Sequence, residues 1–393
     1  MKKNIKTLCL ALLCVVMVLS ACGKTDSEFN NNDFSWKNMQ LGYDAQPYFT
    51  SIIQDFVKTE DGYHYFDRTS ENANKILMFF DKHLKKAVPV CNKANCSHFS
   101  DDIECDAVFE ATEPVNCLTY YDKNLYSCID TFDSNEAVYK TCIYRISPDG
   151  SKREKFIDLF SGNIEGISVF YHRGYAYAAL NVGNDKLEFY KTKLEKGAKP
   201  ELIKSFDGYD ITFYDFSPYK NGIAFIYMGF QDSNYEEIDN KILYYNPETG
   251  EISELLKDIH ADSFRVVDDC IYYTNGKTLY EYDMVSNTQK ELYGFDNNVF
   301  LSFDGKYIYG DTRVSGLDDI SKHYVYVLDT NGKLVDSISI PSDFLCYFGD
   351  EDYLFQLVDM DNDFNMLDES VIKAFDKSQI GTGKHEWIVL PGH

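Results

Sequence analysis

A unit of about 48 residues recurs along this chain, and no other feature limits its fold as tightly. The clearest piece of the unit is a turn residue followed by an aromatic strand. It reads Asp61-Gly62-Tyr63-His64-Tyr65, then Lys123-Asn124-Leu125-Tyr126, then Arg173-Gly174-Tyr175-Ala176-Tyr177. It returns at Asn221-Gly222, Asp268-Asp269, Asp304-Gly305 and Glu351-Asp352. The anchoring aromatics are Tyr65, Tyr126, Tyr177, Phe225, Tyr272, Tyr309 and Phe355, spaced by 61, 51, 48, 47, 37 and 46 residues. A second aromatic strand follows each copy, for example Leu279-Tyr280-Glu281-Tyr282-Asp283, then a turn such as Asp149-Gly150 or Asn331-Gly332. Those turn residues tolerate the left-handed backbone of tight hairpins.

Four antiparallel strands per repeat are the pattern of a β-propeller blade. A lone four-stranded sheet with two apolar faces cannot bury both, and radial packing of blades does so while leaving short edges. The expected fold is therefore all-β, a propeller of seven four-stranded blades starting near residues 48, 115, 166, 211, 262, 297 and 343. Six or eight blades stay open, because residues 43–49 could add a strand. A β-helix or paired sandwiches are the rivals, and the hairpin turns disfavour the first. The last repeat supplies all four of its strands, ending at Trp387 to Leu390, so the ring is expected to close by packing without a strand clasp. Composition agrees: 31 Tyr and 28 Phe against 2 Trp and 9 Pro favour half-buried pleated surfaces.

The start of the chain carries an address. A basic tip (Lys2, Lys3, Lys6) precedes an apolar run over residues 8–19, then Leu19-Ser20-Ala21-Cys22. Twelve apolar residues fall short of a hydrocarbon core of about 30 Å at 1.5 Å per residue, so a secretory signal is expected and not a membrane span. The last four residues resemble a bacterial lipobox, which implies cleavage before Cys22 and a lipid on its thiol. A plain secretory signal cut after Ala21 is the rival. The polar stretch at residues 23–33 reads as a flexible tether. The expected organisation is a lipoprotein signal at 1–21, a lipidated cysteine and tether at 22–47, and one propeller domain at 48–393. The expected location is the extracytoplasmic face of the cell membrane.

Net charge is −25, and the signal holds three lysines and no acid, so the mature chain is more acidic still. This argues against nucleic acid as a partner and against electrostatic adhesion to anionic lipid. Solubility is the plain reading of so many surface carboxylates, and attraction of cations is the functional one.

The longest spacing between repeats holds the densest chemistry. Cys91, Cys96, His98 and Cys105 fall within fifteen residues as C-x4-C-x-H-x6-C, in an insertion expected to lie in a loop after blade 1. Three thiolates and an imidazole could close a tetrahedral structural zinc site with no open position for catalysis. Disulfides compete, since cysteines outside the cytoplasm often pair, and reactive or redox thiols are the third reading. Cys117, Cys128 and Cys142 fall on adjacent strands of blade 2, where a bridge or plain burial is expected. Cys270 and Cys346 read as small core residues. With its lipobox Cys22, the motif Cys91, Cys96, His98, Cys105 and the repeats, the chain resembles the β-propeller-like lipoproteins of anaerobic, gut-type Gram-positive bacteria. That resemblance implies address and fold. The family has no assigned activity, so no catalytic residue is carried over.

Weaker signals decide little. Asp359-Met360-Asp361-Asn362-Asp363 alternates acids as calcium loops do, but it lacks the glycine at the sixth position, and Ser370 stands where the bidentate Glu belongs. Residues 310–319 form a similar acidic stretch. No nucleophile-elbow, zincin, P-loop or dinucleotide motif appears. His64 and His172 read as packed or surface residues. The expected function is a non-enzymatic binding or scaffold module for a surface glycan, peptide or protein. The alternative is a carbohydrate-active enzyme, a glycoside hydrolase or polysaccharide lyase, on the same scaffold.

Overall fold

The computed structural model describes residues 29, 32–47, 55–68, 74–98, 102–112, 115–133, 138–162, 166–182, 185–230, 238–257, 259–312, 324–340, 346–348, 350–360 and 366–390. The signal, Cys22 and most of the calcium-like and 310–319 stretches lie outside them. Gly310 and Asp311 belong to the strand Ile308–Thr312.

Seven antiparallel sheets follow one another along the chain, each drawn from a contiguous segment. Blade 1 holds β1 (Phe56–Lys58), β2 (Gly62–Arg68), β3 (Lys75–Asp81), β4 (Lys86–Pro89) and β5 (Val108–Phe109). Blades 2 to 7 span residues 115–162, 166–207, 209–256, 263–294, 299–339 and 346–389. The fold is the expected seven-bladed propeller. The blade starts match the repeat closely from blade 2 onward.

From blade 1 through blade 6 the first strands of successive blades touch each other and form the hub. Burial falls from hub to rim. The first strand of blade 5 (Ser263–Val267) is buried throughout, whereas its last (Thr288–Gly294) is mostly exposed. The hairpins form where the turn residues sit. Asp122 and Lys123 both have positive φ, as do Arg173 and Gly174, the backbone of a type I′ turn.

Seven buried clusters fill the seven junctions between blades. All seven anchoring aromatics of the repeat are at most 5% exposed and lie in these clusters. The repeat is thus the radial packing written along the chain. Tyr63 and Tyr65 of β2 face the cluster shared with blade 7, and Phe66 faces blade 2, because side chains alternate across a strand.

Ring closure follows the sequence expectation. Blade 7 builds its outer strand from Trp387–Val389, and among the described residues no strand crosses from one chain end to the other. The junction of blades 7 and 1 is held by packing of Phe56 on Phe355 (ring centroids 4.2 Å apart) and by polar ties. Tyr63 donates its hydroxyl to Asp350 (2.7 Å), and Lys58 Nζ pairs with Asp350 (2.8 Å) and Glu351 (2.6 Å).

Residues 33–47 depart from the tether expected of them. The compact propeller unit begins at Asp33. Trp36 is buried and donates its indole N–H to the Val266 carbonyl of blade 5 (2.8 Å). Further on, the Tyr43 carbonyl accepts from Arg173 N–H (2.8 Å), Ala45 N–H donates to His172 Nδ1 (3.1 Å), and Asp44 pairs with Arg173 (2.7 Å). Gln46 exchanges two hydrogen bonds with the Lys58 backbone (2.9 Å each). The segment straps the turns that follow the hub strands. Its apolar residues are too few to signal this alone, and their partners lie up to 230 positions away.

Candidate metal centre

The Cys/His insertion lies within blade 1 and not in a loop after it. Both β4 and β5 pair with β3: β4 covers Met78 to Asp81, and β5 covers Lys75 and Ile76. The outer strand of the blade is therefore cut in two, and the insertion fills the cut. Its two ends meet on one residue. Leu77 donates its N–H to the Ala107 carbonyl (2.8 Å), and its own carbonyl accepts from Val90 N–H (2.8 Å). Sequence reading missed this because β5 is only two residues long.

Turns fold the insertion back on itself. Cys96 N–H donates to the Lys93 carbonyl (3.2 Å), and Cys105 N–H to the Asp102 carbonyl (2.8 Å). His98 takes φ of 60°, a left-handed conformation that side chains other than glycine adopt at a cost of about 1–3 kcal/mol. An ion pair from Lys93 to Asp106 (3.0 Å) closes the outside.

Those turns bring the four candidate ligands together. The sulfurs of Cys91, Cys96 and Cys105 and a ring nitrogen of His98 all lie within 4.8 Å of one another. Cys105 Sγ is 3.7 Å from His98 Nδ1. Zinc–sulfur and zinc–nitrogen bonds of tetrahedral sites place donor atoms about 3.5–3.8 Å apart, so the set suits one ion. The three cysteines are unbonded thiols, and so are Cys117, Cys128, Cys142 and Cys270. The disulfide expectation for the loop is not what the structure has, and in blade 2 it is plain burial that holds. Cys128 lies 3.3 Å from the Tyr171 hydroxyl, and Cys142 donates to Asp158 (3.4 Å).

The electrostatics fit a cation. Burial opposes ionisation of Cys91, yet the backbone N–H groups of Lys93 and Asp106 and the neighbouring thiols hold it below the usual thiol range. Cys105 is pushed up to about 12, chiefly by burial. One sulfur of the set favours negative charge while another resists it, and a divalent ion at the centre would stabilise both as thiolates. Asp102 accepts from Ser97 (3.0 Å) and Cys96 (3.6 Å) and so orients the rim.

Gly150 of blade 2 supports the start of the insertion. Its φ is +71°, and a Cβ there would lie 2.3 Å from the Val90 carbonyl oxygen. Only glycine lets this turn approach so closely. Arg153 of blade 2 donates to the Val108 carbonyl (2.9 Å) and stacks over Phe109 (4.4 Å).

A cleft of about 590 Å³ opens where blades 6, 7 and 1 meet. Tyr307, Tyr309 and Tyr353 line it, with Lys82 and His83 from the turn between β3 and β4. At its floor Lys377 is buried, pairs with Asp304 (3.1 Å) and lies over the Tyr309 ring (4.7 Å). Burial pulls the Lys377 ammonium down to about 8, against the pull of Asp304. No local pattern in the sequence marks Lys377. Of the packed and surface readings of His64 and His172, burial is the one the structure has for both. His64 bridges Thr59 (3.3 Å) and the Pro148 carbonyl (3.0 Å), and burial lowers it to about 4. His172 falls to about 3, through burial and then the Arg173 charge.

Neither a protein-family model nor a curated protein matches the sequence. Among solved structures, the chain is similar to a prolyl endopeptidase with a TM-score of 0.56 and 13% identity. The match covers 91% of this chain and 52% of that one, so this chain spans about half the length of that relative. It is also similar to the β-propeller domain of the Trilobed protease from Pyrococcus furiosus, which has an open velcro topology. There the TM-score is 0.50 with 11% identity, over 90% of this chain and 97% of that one. At these identities the likeness is one of fold.

Proposed function

We propose that this chain is a lipoprotein tethered through Cys22 to the extracytoplasmic face of the membrane. Its propeller acts as a non-enzymatic binding or scaffold module for a surface glycan, peptide or protein. The cluster of Cys91, Cys96, His98 and Cys105 holds a structural zinc ion. The observation that carries the binding reading is the cleft between blades 6, 7 and 1. Its volume is that of a ligand site, and its lining mixes tyrosines with charges. The charged group at its floor is already paired: Lys377 is held by Asp304 and by the Asp350 carbonyl. Such a lining suits recognition of a polar ligand through ring faces, hydroxyls and rim charges more than proton transfer by an unengaged base. Four protein ligands at the metal likewise leave no open coordination position.

Cys22 lies eleven residues before Asp33, a reach of at most about 40 Å for extended chain. A lipid there would keep the propeller close to the bilayer. Among the described residues no helix is long and apolar enough to cross a membrane.

The test is incubation of the mature protein with a panel of polysaccharides and peptides, followed by product analysis. Depletion of a ligand without products supports the module, and Tyr307→Ala should weaken that binding about tenfold if ring contact contributes about 1–1.5 kcal/mol. New reducing ends, unsaturated sugars or cleaved peptides would make the protein an enzyme instead. Mass spectrometry of the mature N-terminus should show a diacylglyceryl adduct on Cys22, lost in Cys22→Ser.

A further inference from the structure

We infer that the metal cluster is the latch that closes the propeller ring, doing at the rim of blade 1 what a shared strand does in a clasped propeller. The inference rests on the zinc reading given above and extends it from a local staple to a joint between the two ends of the chain.

Six of the seven junctions are crossed by the chain itself. Among the described residues the junction of blades 7 and 1 is not, since each blade is built from its own segment. The insertion adds to the blade 1 side of that junction, beside Phe56, Tyr63 and Tyr65. Cys105, Ala107 and Val108 are at most 2% exposed and lie in the same buried cluster as Phe355, Ile372, Ala374 and Leu390 of blade 7. Cys91 and Cys96 pack against the same cluster. These residues enter it only while β5 stays on β3, and β5 makes only two register pairs, Lys75 with Phe109 and Ile76 with Val108. So short a strand does not hold itself in place.

The ligands sit where they would hold it. One residue separates Cys91 from the end of β4, and two residues separate Cys105 from the start of β5. An ion binding both sulfurs ties the two halves of the outer strand to each other across Leu77, whose N–H and carbonyl receive one half each. Cys96 and His98, from the arc between them, complete the coordination. Metal binding fixes the insertion, the insertion fixes β5, and Cys105, Ala107 and Val108 then stay in the cluster that blade 1 shares with blade 7. Metal sites that form only in the folded chain contribute their binding energy to folding.

The experiment uses the mature protein, with zinc as the probe. Native and denaturing mass spectra give the zinc content and the thiol count. Hydrogen exchange is then compared between zinc-loaded and chelator-stripped protein, over residues 56–66 and 353–356 at the junction and residues 213–227 in blade 4. The latch predicts one zinc per chain and, on stripping, about tenfold or faster exchange at the junction with little change in blade 4. Exchange that rises only over residues 90–109 would overturn the latch and leave the zinc reading standing. A protein without zinc, lighter by two hydrogens per cysteine pair, would overturn both. Cys105→Ser also disturbs the buried core, so the decisive variants are at the rim of the site. His98→Ala should lose zinc and loosen the junction, and His98→Cys should restore both. Restored zinc without a restored junction would also sink the latch.

Discussion

The junction between blades 4 and 5 and the junction between blades 7 and 1 close the same ring by different means. At the first, the chain runs straight through, and the polar tie lies at the hub. Asp215 sits in a bulge of the hub strand with φ of 50°, which turns its carboxylate toward blade 5. There it accepts from Ser263, from Phe264 N–H (2.8 Å) and from Arg265, all buried. Ser263 in turn accepts from Leu301 N–H of blade 6 (2.9 Å), so one carboxylate organises three blades. At the second junction the chain is interrupted. Its ion pair lies nearer water, with the Lys58 side chain 12% exposed, and the Cys/His insertion stands at its rim. A buried charge network gives register where connectivity already guarantees proximity. Where connectivity is missing, proximity itself has to be supplied by added contacts.

Three measurements would break or sharpen this contrast. The largest effect is expected from Asp215→Ala, which removes the carboxylate that the buried Arg265 guanidinium pairs with. Removing one half of a buried pair costs about 3–5 kcal/mol, to be read from denaturant midpoints. A loss below about 1 kcal/mol would mean that water or another acid takes over, and the hub tie would lose its assigned weight.

Acid comes next, because His64 and His172 are buried neutral on the blade 1 flank and under the strap. Their folded values, about 4 and 3, lie below the unfolded value of about 6.5. Between these limits the unfolded chain binds more protons, so stability is fully present above about pH 6.5 and falls as pH drops toward 4 and then 3. Each histidine should cost about 2 kcal/mol by pH 5 relative to pH 8. Replacing His172 with Gln should remove its share of that slope, and an unchanged slope would refute the assignment.

The smallest effect is expected from Lys58→Ala at the interrupted junction, about 1–2 kcal/mol. Asp350 keeps the Tyr63 hydroxyl and the N–H groups of Asp352 and Tyr353 as donors. If Lys58→Ala costs as much as Asp215→Ala in zinc-loaded protein, the ion pair and not the metal insertion would be the main closure.

Much of this architecture could be read from the chain. Turn residues before aromatic strands located the hairpins, and the phase of the aromatics located the cores between blades. What could not be read was contact across long separations. Trp36 and Asp44 look like spacer residues until Val266 and Arg173 are brought to them. The insertion looked like a loop after a finished blade, since two residues of β5 carry no periodic signal. The ligand set Cys91, Cys96, His98 and Cys105 was visible as a motif, but not whether its sulfurs pair or converge.

The sequence by itself determined the repeat, the strand content, the hairpin turns and the residues that fill the junctions, because these depend on alternation and turn chemistry within a few residues. Only the tertiary structure decided that residues 33–47 strap the hub, that a split outer strand brackets four metal-type ligands, and that those ligands stand at the junction between the chain's two ends. Such features depend on which distant segments the closed ring makes neighbours. A local pattern carries no record of that.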